Sequence, residues 1–311
     1  MSRKLLIDVD TGVDDAHAII LALSRPNVDV IAITCVAGNT NVDKVCENTL
    51  NVLKVCNRMD VPVYRGACKS ILGEHLGAPF YHGEDGLGDV LKSNDVDTSI
   101  IQSEHAVTAM LRLVGENPGE ISIVALAPLT NIALATRIDP HFGEKLKSIT
   151  IMGGNIDGKG NSTLAAEYNF ESDPEAAAIV LKDIKCMINL VSWETNLRHS
   201  LPFDWVDKWL STETEKGRFV HDITQKAIHI QHEWKFSLFW NCDLVAMATA
   251  VDEDVILEVD DEHGIVELQG KVTRGQLVVD WMGRLGAKPN IRIIKKIDMD
   301  KVCCLFQAML L

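Results

Sequence analysis

Four carboxylates fall within eight residues near the start of the chain, in Asp8-Val9-Asp10-Thr11-Gly12-Val13-Asp14-Asp15. They follow the apolar run Leu5-Leu6-Ile7 and precede good helix formers, so they sit at a strand-to-helix turn. Carboxylates held this close repel one another unless a cation neutralises them, and hard oxygen donors suit Ca²⁺ or Mg²⁺. Helix capping accounts for one or two of them, with Asp14 and Asp15 in a first turn and Asp10 in an Asx turn. It does not account for four, so the segment reads as a metal or polar-ligand site.

Other apolar runs also end in polar residues. Ala37-Gly38-Asn39-Thr40-Asn41 ends a second, and Leu126-Ala127-Pro128-Leu129-Thr130-Asn131 a third. Pro128 breaks that strand and leaves a local carbonyl without a ladder partner, free to ligate a cation. Gly153-Gly154-Asn155 ends a fourth, followed by a dense set of hydrogen-bonding groups from Asn161 to Asn169. Finally, Trp240-Asn241-Cys242-Asp243 precedes an apolar helical stretch. Each segment alone reads as a turn or a cap. Together they put carboxylates and amides at successive strand ends.

The elements that must position these groups alternate along the chain. Apolar strands at 5–9, 28–36, 121–126, 148–152 and 186–193 are interleaved with helical segments at 16–23, 42–56, 131–136 and 174–182. Such alternation predicts an α/β protein with an open, mostly parallel sheet flanked by helices, Rossmann-like in layout. Ligands then bind beyond the carboxyl ends of the strands, where the polar segments lie. No linker or repeat divides the chain, so residues 1–311 are expected to form one domain. The Gly- and Asp-rich stretch 73–93 is expected as a loop, and the polar-aromatic stretch 202–240 as an appended helical cap.

Composition removes several functions. The 311 residues carry 30 Lys+Arg against 44 Asp+Glu, a net charge of −14 that argues against a nucleic-acid partner. No apolar run approaches the roughly 18 residues of a membrane span. The start, Met-Ser-Arg-Lys-Leu-Leu-Ile-Asp, becomes charged too soon for a secretory signal. The eight cysteines form no CxxC pair, so they are expected as small core residues in a reducing, cytoplasmic setting.

The string Asp8-x-Asp10-x-Gly12-x-Asp14-Asp15-Ala16 resembles the signature of the inosine-uridine preferring nucleoside hydrolases. His82-Gly83-x-Asp85-Gly86-Leu87-Gly88, Pro128-Leu129-Thr130-Asn131, Met152-Gly153-Gly154, Ala166-Glu167-Tyr168-Asn169 and Thr273-Arg274-Gly275-Gln276 resemble further family segments, in order. The resemblance runs from Leu5 to about Val302. It implies hydrolysis of the N-glycosidic bond of ribonucleosides to ribose and free base, with a bound Ca²⁺, in salvage of purine and pyrimidine nucleosides.

Carried over by motif, the Ca²⁺ ligands are Asp10, Asp15, Asp243 and the main-chain carbonyl of Leu126, where the family often has Thr. Asp10 is the implied general base on a water beside the ion. Asn39 orients Asp10 or contacts the ring, Asp14 and Asn169 hold the 2′- and 3′-hydroxyls, and Asn161 and Glu167 hold the 5′-hydroxyl. Substrates lacking a hydroxyl are then disfavoured, because its buried partner is left unpaired. His82 falls in the family's flap over the base. Cys242 stands where the best-known members have a His that protonates the leaving base; a thiol of ordinary pKa about 8.5 is a different acid. Cys242 is therefore either an acid or only pocket wall.

Candidates to stack on the base are Tyr81, His232, Trp234, Phe236, Phe239 and Trp240, while Trp193 and Trp205 are expected to be structural and His17 to face the helix surface. A homodimer or homotetramer is implied. Two alternatives compete. One is a nucleoside- or ribose-binding relative that lost turnover with the change to Cys242. The other is a Mg²⁺-dependent phosphohydrolase of the haloacid-dehalogenase type, with Asp8 as nucleophile and Asp10 as acid/base partner.

Overall fold

A computed structural model describes residues 2–73, 77–91 and 96–311. Strand β1 (Arg3–Val9) leads into helix α1 (Val13–Ser24), and β2 (Val28–Cys35) into α2 (Val42–Val55). The short β3 (Val63–Arg65) is followed by α3 (Pro79–His82) and α4 (Ala106–Glu116). Then come β4 (Ile121–Ala125), α5 (Thr130–Ile138), β5 (Ser148–Met152), α6 (Tyr168–Ser172), α7 (Pro174–Asp183) and β6 (Ile188–Val191). Helices α8 (Trp193–Arg198), α9 (Phe203–Leu210), α10 (Glu215–Glu233) and α11 (Cys242–Val251) follow. The chain ends with β7 (Ile256–Glu262), the β8 (Gly264–Val266) and β9 (Leu277–Val279) hairpin, β10 (Ile291–Ile297) and α12 (Met299–Met309).

Eight strands form one sheet in the order β3-β2-β1-β4-β5-β6-β10-β7. All pairings are parallel except that of the edge strand β7 with β10. Side chains alternate across the sheet: Leu5, Ile7 and Val9 join the core under α1, α10, α11 and α12, while Leu6 joins the core under α4, α5 and α7. Helix α11 is buried at every position and packs on α1. A helix apolar on all sides belongs inside a core, where each large side chain contributes about 1.5–3 kcal/mol of burial.

Strand order reverses between β1 and β4. That switch point is where an open α/β sheet leaves a crevice beyond its carboxyl ends. The Leu126 N–H donates to the Asp8 carbonyl at 2.9 Å, which brings the residues leaving β4 beside those leaving β1.

Several expectations change in detail. The segment expected as a strand at 186–193 is narrower, because Ser192 caps α8 by accepting from the Thr195 N–H. The stretch 73–93 contains α3, while its positions 74–76 and 92–93 lie outside the described residues. Within 202–240, α9 and α10 are helical, but 235–240 is not, and Phe239 bridges to Leu201. Cys68 and Cys304 are exposed rather than core. No helix among the described residues is long and apolar enough to cross a membrane.

Candidate active site

A cleft of about 730 Å³ opens over the carboxyl ends of the central strands. Asp10, Asp14, Asn39, His82, Leu126, Asn161, Glu167, Asn169, Cys242 and Asp243 all line it, and Asp15 lies buried behind them.

The carboxylates are arranged by two helix N-termini and one loop. Asp14 and Asp15 occupy the first turn of α1, and Asp243 the first turn of α11, where the helix dipoles favour negative charge. Asn39, after β2, bridges two of the group: its N–H donates to Asp10 Oδ2 at 2.7 Å, and its Nδ2 donates to Asp15 Oδ2 at 3.2 Å. Asp15 Oδ2 also accepts the Gly12 N–H at 2.9 Å. One oxygen each from Asp14, Asp15 and Asp243 lies within 4.8 Å of the others. Asp10 Oδ1 and Asp15 Oδ1 are buried and have no partner among the described residues.

Burial pushes Asp14 up to about 6 and Asp15 up to about 7, the latter also through the Asp14 charge. Asp10 and Asp243 are held well above the usual carboxylate range, first by burial and then by neighbouring carboxylates. Mutually repelling, desolvated carboxylates with unpartnered oxygens form a donor set that fits a hard divalent cation.

The opposite wall comes from the ends of β4 and β5. Asn169 Nδ2 donates to the Leu126 carbonyl at 2.9 Å and to the Met152 carbonyl at 3.2 Å. Glu167 caps α6, accepting from the Asn169, Gly154 and Phe170 N–H groups, and burial pushes it up to about 7. Asn161, exposed on the loop above, accepts the Tyr168 N–H at 2.9 Å. The Tyr168 hydroxyl donates across the cleft to the Gly38 carbonyl at 2.8 Å.

The remaining end of the cleft is aromatic. Tyr81 and Trp240 stack with centroids 5.0 Å apart and planes 10° from parallel, and Trp193 meets Trp240 edge-on at 5.1 Å. Phe80, Trp234 and Phe236 line the same end. His82 Nδ1 accepts the Val13 N–H at 3.1 Å, which assigns its proton to Nε2, and burial lowers its pKa to about 3. Gly12 permits that approach, because a Cβ there stands 2.4 Å from Nδ1. Cys242 is buried, and burial together with Asp14 and Asp243 pushes its thiol up.

Not every expected residue reaches the cleft. Of the nominated aromatics, Phe239 belongs to the core, and His232 is exposed and stacks on Phe203 at 4.0 Å. Trp193, expected to be structural, lines the cleft; its place just past the end of β6 is the available signal. Trp205 packs against Trp209 and Phe306. His17 does not face the surface but is fully buried. Its Nδ1 accepts from Asn241 Nδ2 at 2.7 Å, so Nε2–H donates to the Thr224 hydroxyl at 3.0 Å. Asn241 is in turn the cap of α11, so His17 braces the turn that carries Asp243. Asp8 does not line the cleft: its Oδ1 accepts from the Thr34 hydroxyl at 2.6 Å and from Asn131 Nδ2 at 2.9 Å within the sheet. It is therefore unplaced for the nucleophilic role of the phosphohydrolase alternative.

The chain matches the family model described as inosine-uridine preferring nucleoside hydrolase over residues 5–303. It is 34% identical over 301 residues to the pyrimidine-specific ribonucleoside hydrolase RihA of Citrobacter koseri, covering 96% of this chain and 95% of that one. The fold is similar to a plant nucleoside hydrolase, PpNRh1, with TM-score 0.91, 30% identity, and coverage of 100% and 99% of the two chains. It is equally similar to an inosine-guanosine nucleoside hydrolase, with TM-score 0.91, 32% identity and the same coverage.

Proposed function

The chain belongs to the inosine-uridine preferring nucleoside hydrolase family, and from that premise we propose a Ca²⁺-dependent hydrolysis of ribonucleosides to ribose and free base, with Asp10 as general base. The observation that carries this reading is the buried carboxylate cluster at the sheet's switch point, facing amides on one side and aromatic rings on the other.

The residues that would hold Ca²⁺ are Asp10, Asp15, Asp243 and the Leu126 carbonyl, with Asp14 close enough to share a vicinal diol. The unpartnered Oδ1 atoms of Asp10 and Asp15 support this set. When bound, the ion supplies the positive charge that keeps these carboxylates ionised and helps anchor the ribose.

Asp10 is fixed through Oδ2 by the Asn39 N–H, and the two lone pairs of its Oδ1 would let that oxygen face the ion with one and take a proton from the attacking water with the other as it approaches C1′. Positive charge developing on the sugar is favoured by surrounding carboxylates and amide oxygens. Asp14 and Asn169 hold the 2′- and 3′-hydroxyls, and Asn161 and Glu167 the 5′-hydroxyl. A carboxylate has about four lone-pair sites, so Glu167 keeps acceptor capacity beyond its three backbone bonds. The base leaves against the aromatic end, with His82 Nε2–H and the Cys242 thiol among the donors that line the cleft, as is the Trp240 Nε1–H, which has no partner among the described residues.

The relatives' printed names span pyrimidine, inosine and guanosine substrates, so both base classes belong in the test. We read residues 1–311 as one domain with α9 and α10 as its cap, working in the cytoplasm as a homodimer or homotetramer. Reducing-sugar release from inosine, adenosine, guanosine, uridine and cytidine, with added Ca²⁺ and after chelation, tests the function. Release that is lost on chelation and restored by Ca²⁺ is the expected result. Tight nucleoside binding with no release would instead favour a binding protein.

A further inference from the structure

Gln231, near the end of α10, is fully buried, and its hydrogen bonds go to Tyr81 and Trp240 rather than to the carboxylate cluster. Its Nε2 donates to the Tyr81 hydroxyl at 2.7 Å and to the Trp240 carbonyl at 3.0 Å, while its Oε1 accepts the Trp240 N–H at 3.0 Å. A single amide therefore satisfies both main-chain groups of Trp240 and ties them to the phenol that stacks on the Trp240 ring. Only a primary amide of this reach has two donors and an acceptor on one flat end. Glutamate lacks the donors, and leucine leaves all three partners unpaired in a buried place.

The two clamped residues lie on two of the segments that line the aromatic end. Tyr81 precedes His82, which is bonded to the Val13 N–H, and Trp240 precedes Asn241, the cap of α11. The same helix braces the rest of the 79–91 loop: Lys226 pairs with Asp89, and Gly88 fits against the Ile223 backbone. The ribose side of the cleft is built by different elements, the ends of β1, β2, β4 and β5. We propose that Gln231 is a positioning residue that holds Tyr81 and Trp240 as one rigid wall for the planar leaving base, separately from the grip on ribose. This rests on the nucleoside hydrolase reading of the cleft.

The test compares Gln231→Glu, Tyr81→Phe and their combination with the wild type. Affinities for D-ribose and for the tighter of hypoxanthine and uracil are read from tryptophan fluorescence, and KM and kcat from the matching nucleoside. Loss of the donors should weaken base affinity and raise nucleoside KM about ten-fold, with D-ribose affinity unchanged. Tyr81→Phe removes a single bond and keeps the ring, so it should give a smaller loss in the same direction. The double variant, which also removes the bond that the Tyr81 hydroxyl can donate to a glutamate, should lose at least as much base affinity as Gln231→Glu. Equal weakening of base and ribose, or no weakening of base, overturns the clamp. A wild type that binds base and ribose without turnover would sink the hydrolase reading alone, because the two affinities still decide the clamp.

Discussion

Gly38 lies so close to Asp10 that a Cβ built on it stands 2.0 Å from the carboxylate Oδ2. The bare backbone of residue 38 and the Asn39 N–H together fix the carboxylate's plane. Gly38→Ala must push Asp10 aside, and a displacement near 1 Å at a reacting group costs on the order of 100-fold in rate. The expected outcome is a fall in kcat of about that size with a folded protein by circular dichroism. A kcat within a few-fold of wild type would mean that Asp10 is not the base.

Asp10→Asn keeps the shape and an oxygen to accept the Asn39 N–H, but cannot take a proton. Loss of a general base costs about 10²–10⁴ in kcat. The same change removes one member of a repelling cluster, so the chelated variant should melt no lower than the chelated wild type. Turnover at the wild-type rate would remove the assignment.

If the cluster binds Ca²⁺ as proposed, proton and cation compete for it. Asp15 is raised to about 7 and Asp14 to about 6, both above the ordinary 3.8 of an unfolded chain. Such groups contribute stability that is complete below pH 3.8 and is lost as pH rises through 6 to 7. Ca²⁺ needs the ionised form, so its stabilising effect should grow across the same window. Differential scanning fluorimetry with and without Ca²⁺ should show a small Tm increment at about pH 5 and a larger one at about pH 8. An increment independent of pH would separate cation binding from these carboxylates.

At Cys242, alanine and histidine substitutions distinguish an acid from a wall. Should the thiol donate a proton to the leaving base, Cys242→Ala loses activity on inosine and uridine while Cys242→His retains or raises it. Equal rates for all three proteins on both nucleosides would leave Cys242 as pocket lining only.

His17→Leu deletes both ring nitrogens and leaves the Asn241 amide without its partner, at a cost of about 2 kcal/mol. Denaturant unfolding should report that loss. The pH dependence also has a sign. Burial lowers His17 to about 3 from an ordinary 6.5, so its contribution is present above pH 6.5 and fades as pH falls towards 3.

The carboxylate turn was legible because capping cannot account for so many acidic residues, although only Asp10, Asp14 and Asp15 of the four join the cluster and Asp8 is held within the sheet by Thr34 and Asn131. The amides at later strand ends were legible because apolar runs stop there. His17 was not, since a helix beside a sheet ordinarily exposes its far side. Here α11, buried at every position, and α10 cover that side, so a polar residue on α1 must find buried partners. Trp193 was obscured by two residues of strand boundary, which Ser192 decides by capping a helix instead. Strands β7 and β10 escaped notice because their outer positions carry charge. Arg292 pairs with Asp261 at 2.8 Å, and Lys295 with Glu258 and Asp260, so opposite charges join the strands where apolar alternation is interrupted.

The wide sequence separation of Asp15 and Asp243 has a consequence for synthesis. The two groups meet at one point in the fold but leave the ribosome more than two hundred residues apart. Strands β1 to β3 can pair early, as can the helices between them. The carboxylate cluster itself cannot close until α11 has emerged and packed onto α1. A nascent or truncated chain ending before α11 therefore has no complete cluster, and the acidic cluster assembles only as this part of the molecule is completed.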